Sequence, residues 1–309
     1  MPRIFNLQTQ QNFKTLAILG GSGSGKTALS LEIAKEFSCA ILSLDSLSIY
    51  KEIDIASAKP SLKERGEIVH FGIDVLSPKQ VQNVQNFIAE FKKAQEFCIQ
   101  NCKHLLIVGG TSFYLKSLLC GISPMPKRKA TTQENIRDIG DLAEQYAFLC
   151  KIDSAYAKRL QAKDSYRIIR ALEIYFDTQC APSVYFKKNP PYPILKDCAI
   201  FDIMLDRAVL QQKIALRTKR MLEQGLIAEI EGLVECYGEA HQWAKSIGIK
   251  EVLAFKRGEF NLKELESLIT THTAQLAKRQ RTFNKTQFLP HFCGEYLEVR
   301  EAIRQKLST

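Results

Sequence analysis

Gly20, Gly21, Ser22, Gly23, Ser24, Gly25, Lys26 and Thr27 are the first residues whose types and spacing specify chemistry, because together they satisfy GxxxxGK[ST]. Glycines let successive backbone N–H groups turn inward as an anion nest, and Lys26 neutralises phosphate oxygens. The Thr27 hydroxyl is a hard oxygen donor suited to Mg²⁺, and a helix starting at Lys26 would add its positive dipole end. The pattern predicts a site for a di- or triphosphate or a pyrophosphate ester, without choosing among them.

A second observation narrows the choice. Enzymes that hydrolyse nucleoside triphosphates usually end a later strand with an Asp that holds Mg²⁺. Here the comparable apolar run, His104 to Val108, ends in Gly109-Gly110-Thr111. The acid comes early instead: Asp45, in Leu42-Ser43-Leu44-Asp45-Ser46, follows the second apolar run, at the edge where open α/β sheets place ligands. Asp45 is therefore the candidate general base, with a helix cap or loop acid as the plain alternative. A small-molecule kinase is disfavoured by the Gly-Gly-Thr ending, and a nucleotide-gated RNA-binding protein without catalysis stays open.

These residues need strands and helices to hold them. Lys14 to Leu19, Cys39 to Leu44 and His104 to Val108 are short apolar runs that predict strands, and Ile68 to Leu76 is a weaker one. Lys26 to Phe37 follows helical spacing, as does the stripe Val81, Val84, Phe87, Ile88, Phe91, Ala94 and Cys98. The alternation predicts an α/β fold with a P-loop NTPase-like parallel sheet flanked by helices. After Gly121 the texture changes: SPMPKRKATT is a basic loop, Ile136 to Phe176 is helical in pattern, and Asn189 to Pro193 (NPPYP) ends the stretch. A core of residues 1–122 and 197–309 with a helical insertion domain at 123–196 follows. Cys198 to Leu205 predicts a last strand, and helices are expected over Asp206 to Gln224, Leu226 to Tyr237, Ser246 to Phe255 and Leu262 to Lys285.

The formal net charge is +10, and the stretch from Ser123 to Lys196 holds 13 basic against 8 acidic residues, half of that excess. A polyanion surface is expected there. No apolar run approaches the roughly 20 residues that span a bilayer. The opening MPRIFNLQTQ lacks the apolar stretch and cleavage site of a secretory leader, so a cytoplasmic chain without membrane attachment is expected. Nine cysteines without a CxxC pair suit reduced thiols. Cys98, Cys102 and His104 read as thiols on a helix beside a strand more readily than as a metal fragment.

Eight blocks, in order, resemble the bacterial tRNA dimethylallyltransferase (tRNA isopentenyltransferase) family. They are GGSGSGKT at Gly20, SLDSLSIYKEIDIASAKPS at Ser43, HFGIDVLSP at His70, VGGTSFYLKSLLCGISPMP at Val108, DSYRIIRALEIYF at Asp164, RTKRMLEQGL at Arg217, SIGIKE at Ser246 and TAQLAKRQRTF at Thr273. The resemblance implies transfer of a dimethylallyl group from dimethylallyl diphosphate to N6 of the adenosine 3′ of the anticodon in tRNA. It implies Asp45 as base, and Lys26, the loop amides, Thr111 and Arg217 as stabilisers of the leaving diphosphate, with Mg²⁺ as cofactor near Thr27. It further implies tRNA contacts from Asp45, Ser46, Leu47, Ser48 and Thr111, and from Tyr166, Arg167 and Arg170 in the insertion gripping the anticodon stem-loop, in a monomer. Arg167 and Arg170 beside Glu173 read equally as a solvated helix face, and salt bridges of Lys278, Arg279 and Arg281 as structural. The chain departs from the family in having Gly21 and Gly23 where Pro and Ala are common, in Lys127 to Tyr146, and in Asp177-Thr178-Gln179.

Overall fold

The structure, a computed structural model, describes residues 13–309; the opening stretch read above for a leader lies outside the described residues. In chain order the elements begin β1 (Thr15–Gly20), α1 (Lys26–Glu36), β2 (Cys39–Leu44), α2 (Leu62–Arg65), β3 (His70–Phe71), α3 (Val84–Gln100), β4 (His104–Gly109) and α4 (Ser112–Cys120). Five helices follow: α5 (Thr132–Asp138), α6 (Leu142–Ile152), α7 (Ser154–Ala157), α8 (Ser165–Thr178) and α9 (Pro182–Lys188). The chain continues through β5 (Ala199–Ile203), α10 (Arg207–Glu223), α11 (Leu226–Tyr237), α12 (Ile249–Lys256), α13 (Leu262–Gln287), β6 (Phe292–Gly294) and α14 (Tyr296–Ser308).

The six strands pair in parallel in the order β3-β2-β4-β1-β5-β6. This is the expected P-loop NTPase-like sheet. Buried along its whole length between two neighbours, β1 runs apolar from Leu16 to Leu19 rather than alternating. One face is covered by α1 and α14, whose Leu29, Ile33, Val299 and Ile303 pack with Ile18 of β1 and Leu106 of β4. On α3, Phe87, Ile88, Phe91, Ala94 and Cys98 form the buried stripe, and the helix packs on β2 and β4.

The chain divides into two compact units, one of Met1–Lys116 with Leu195–Thr309, as far as it is described, and one of Ser117–Ile194. The second unit is all helical, with a core of Ile136, Leu149, Ala157, Ile168, Ala171 and Leu172. Its boundaries differ from the expected 123–196 by a few residues at each end.

Three elements depart from expectation. Only His70–Phe71 of the run Ile68 to Leu76 is strand, because Gly72 and Asp74 take positive φ and turn the chain out of the sheet. The helix expected from Ser246 begins at Ile249, since Gly248 at φ 93 breaks the chain direction after a 3₁₀ turn at Gln242–Lys245. β5 is not the last strand: β6 follows it, three residues long and ending in Gly294.

The sheet positions the site through a contact at the strand ends. Leu44 and Gly109 are register partners, and a Cβ on Gly109 would lie 2.2 Å from the Leu44 carbonyl oxygen. That same oxygen accepts the Thr111 N–H at 3.0 Å, so Asp45 and Thr111 leave the sheet side by side. Gly109→Ala is expected to separate these ends and cost about 1–3 kcal/mol of stability, read as a lower urea midpoint; an unchanged midpoint would mean that the contact does not constrain them.

Candidate active site

Between β1 and α1 the phosphate-binding loop curls tightly. Ser24 N–H donates to the Gly21 carbonyl at 3.1 Å, and Gly23 and Gly25 adopt φ of 86 and 96. Gly23 therefore occupies a conformation that a side chain disfavours, so the departure from Ala at this position suits the turn found here. The Lys26 ammonium folds back onto the Gly20 and Gly21 carbonyls at 2.8 and 2.9 Å. Burial lowers the Lys26 pKa to about 8, with a further lowering by Arg217 that the fields of Asp45 and Asp202 oppose. Ser24 is buried with no partner for its hydroxyl among the described residues, a polar group placed for a ligand. Thr27 is exposed in the first turn of α1.

Beside the loop lies a cavity of about 430 Å³ that brings together Ser22, Asp45, Ser46, Leu47, Thr111 and Arg217. Asp45 uses Oδ1 to accept the N–H groups of Leu47 and Ser48 at 2.7 and 3.3 Å, and among the described residues nothing donates to Oδ2. It is thus a turn acid through one oxygen and a free acceptor through the other. Arg217, on α10, has no carboxylate within ion-pair distance among the described residues. Its burial lowers its pKa, and Asp45 is the group whose charge offsets this. A guanidinium held without a partner anion in a cavity is a site for an anionic ligand. Ser46 is exposed and Leu47 buried at the cavity wall, whereas Ser48 is buried with its hydroxyl bonded to that of Ser43 at 2.8 Å.

The remaining walls come from residues that sequence reasoning missed. Gln280 of α13 accepts the Ser22 N–H at 3.2 Å and lines the cavity. Glu229 of α11 accepts three consecutive N–H groups, of Asp54, Ile55 and Ala56, at 2.9, 2.7 and 2.9 Å, and so fixes the segment whose Ala56 and Ser57 border the cavity. The buried Glu251 accepts the Gly248 N–H at 2.7 Å and pairs with His272, holding the Ser246 to Gly248 wall. Gln280 and Glu251 fall within quoted blocks, but no spacing rule marks them, since their partners are remote or specific to the folded turn.

A second cavity, of about 610 Å³, is bordered by Gly21, Ser24, Asp202, Lys278 and Arg281; Ile214 borders both. Lys278, Arg279 and Arg281 make no ion pair among the described residues, so the structural salt bridges considered for them do not form. Cys98 is buried and donates to the His104 carbonyl, and no three-ligand group forms around Cys98, Cys102 and His104 among the described residues.

In the helical unit, Tyr166 is 72% exposed and Arg167 projects beside Asp164, its partner at 2.8 Å. Arg170 behaves differently. It pairs with Glu173, which is buried and also holds Arg128 and Gln133, so this side of α8 is a packed ionic cluster rather than a solvated face.

The family model for IPP transferase matches residues 48–287, and that for isopentenyl transferase matches residues 13–69. The chain belongs to the IPP transferase family. A family member from Wolinella succinogenes, named tRNA dimethylallyltransferase, is 48% identical over 277 residues, 89% of this chain and 92% of its own. Another of that name, from Helicobacter pylori, is 46% identical over 291 residues, 94% and 93% of the two chains. Among solved structures, a eukaryotic dimethylallyltransferase acting on tRNA superposes with a TM-score of 0.82 at 25% identity, covering 95% of this chain and 77% of that one.

The depressed Lys26 pKa has a measurable consequence. Only the ammonium form attracts an anion, so affinity for inorganic pyrophosphate is expected to hold below pH 8 and then fall by up to about tenfold per pH unit as Lys26 loses its proton. Calorimetric titration of the wild type against Lys26→Met, in which this step is expected to vanish, checks it.

Proposed function

We propose that this IPP transferase family member is a tRNA dimethylallyltransferase, which moves the dimethylallyl group of dimethylallyl diphosphate to N6 of the adenosine 3′ of the anticodon and releases diphosphate. The observation that carries this reading is the pairing, in one cavity, of Asp45, a carboxylate with a free oxygen, and Arg217, a guanidinium without an anion partner, among the described residues. Such a pair suits a reaction in which a neutral amine loses a proton while negative charge builds on a leaving group.

As the N6–C1 bond forms and the C1–O bond breaks, Asp45 accepts the N6 proton. Charge developing on the departing diphosphate falls on Arg217, Lys26, the Thr111 side and the loop amides, interactions that strengthen toward the transition state. Lys26 exchanges its two carbonyl partners for phosphate oxygens. Thr27 fits Mg²⁺ as an exposed hydroxyl in the first helical turn, where a hydrated ion needs only one or two protein oxygens; a Mg²⁺ held there supplies further neutralisation of the diphosphate.

An adenine reaches a cavity only after leaving its stack, at a cost of a few kcal/mol that is smallest in a single-stranded loop. The helical unit supplies the grip on the anticodon stem-loop: the exposed Tyr166 offers a ring for stacking and Arg167 a cation for phosphate. Arg170 supports them by holding Glu173. The reading extends to a monomer in the reducing cytoplasm, a compartment that the nine free cysteines suit. No helix among the described residues is long and apolar enough to cross a membrane.

Incorporation of label from dimethylallyl diphosphate into tRNA tests the reading, with γ-labelled ATP and small acceptors as the kinase control. Asp45→Ala and Arg217→Ala are expected to remove most turnover at near-normal tRNA affinity; weakened tRNA binding with chemistry intact at saturation would contradict these roles. Arg167→Ala is expected to lower the salt slope of tRNA binding by about one at unchanged stability. Arg170→Ala should instead destabilise the helical unit by about 1–3 kcal/mol, because the buried Glu173 loses one of its two cations.

A further inference from the structure

One group of donor side chains is left unused by the proposed reaction. β6 pairs with β5 so that Cys293 is the direct partner of Asp202, and partners in a ladder project to the same face. His291 lies two residues before Cys293 and returns to that face. The three offer ligand atoms that all lie within 4.8 Å of one another. His291 Nε2 is 3.0 Å from Cys293 Sγ and 3.8 Å from Asp202 Oδ2.

The surroundings orient these donors. His291 Nδ1 is bonded to the Phe288 carbonyl, which can only accept, so Nδ1 carries the proton and Nε2 presents its lone pair to the other two ligands. Asn284 Nδ2 donates to Asp202 Oδ2 at 3.0 Å. A backbone carbonyl on the far ring nitrogen and an amide on the carboxylate are the outer contacts by which proteins aim ligands at a metal. Asn284 supplies a second, independent sign. It is 1% exposed, yet its Oδ1 has no hydrogen-bond partner among the described residues. Turning the amide over would set that oxygen against the Asp202 carboxylate, so a buried acceptor remains beside the cluster for a donor such as metal-bound water. A Cys-His-Asp catalytic arrangement does not account for the geometry, because acid and thiol would then hold opposite ring nitrogens, whereas here both approach Nε2.

We infer that Asp202, His291 and Cys293 form a binding site for a late first-row divalent metal ion, zinc foremost, leaving one coordination position to water. Binding forms one bond each from a carboxylate oxygen, from Nε2 and from the thiolate sulfur, and releases the Cys293 proton to solvent. Mixed oxygen, nitrogen and sulfur donors suit zinc and not Mg²⁺, which separates this site from the hydroxyl of Thr27. The ion would staple the three-residue β6 to β5, across a pairing that the Met204 N–H to Gly294 carbonyl bond of 2.8 Å extends by a single step.

The test is titration of the metal-stripped full chain with Co²⁺. One equivalent is expected to give a sulfur-to-cobalt charge-transfer band with the strong visible absorption of a tetrahedral ion, and Zn²⁺ is expected to bleach both. Cys293→Ser should lose the charge-transfer band and His291→Ala the tight binding, while Asn284→Ser should weaken Zn²⁺ by about 10–100-fold. Zn²⁺ should raise the melting temperature of the wild type and not that of Cys293→Ser. The absence of the band in the wild type, or its persistence in Cys293→Ser, would overturn the inference. Cys293→Ser changes an exposed side chain by one atom, so it decides the matter even if His291→Ala does not fold.

Discussion

The close approach of Gly109 to the Leu44 carbonyl is the constraint on which the site depends. It fixes the carboxyl end of β2 against that of β4 with no side chain between them, and the carbonyl then accepts the Thr111 N–H. Two segments 65 residues apart in sequence, one ending in an acid and the other in a hydroxyl, are thereby set to about the precision of a backbone hydrogen bond. Long loops carrying the same two residues would leave their separation to side-chain rotamers. Catalytic groups tolerate misplacement poorly, and this one contact removes the largest source of it.

Around that contact the charges are arranged so that none is fully satisfied before a ligand arrives. Lys26 rests on two carbonyl oxygens, and Arg217 has no carboxylate at ion-pair distance among the described residues. The carboxylates that are fully engaged do structural work instead. Glu229 collects three N–H groups, Glu251 one N–H and a histidine, and Glu173 two arginines. The division follows from solvation: a buried charge with complete partners is locked, and one with partial partners is available to a substrate.

The sequence made the loop and Asp45 legible because each is a contiguous pattern attached to a strand end, and the sheet edge turns that attachment into position. Apolar runs located five of the six described strands, the weak run of Ile68 to Leu76 shrinking to two residues, and apolar stripes located most helices to within a few residues. Other features could not be read. Gln280 meets Ser22 across 258 residues and Glu229 meets Ala56 across 173, distances over which no periodicity operates. Glu173 gave the opposite difficulty: an Arg-Arg-Glu grouping looks solvated in sequence, and only the packing of α8 against α5 and α6 shows it buried. β6 escaped notice because three residues ending in glycine carry no alternation to detect.

Both outermost strands of the sheet are very short: β3 is two residues and β6 is three. A parallel sheet this hydrophobic, exposed along a full-length border, would offer a row of unsatisfied amides to any passing chain. With the outermost strands among the described residues trimmed to two and three residues, the sheet's borders give a foreign segment little to register against, while its apolar interior still holds the strand ends.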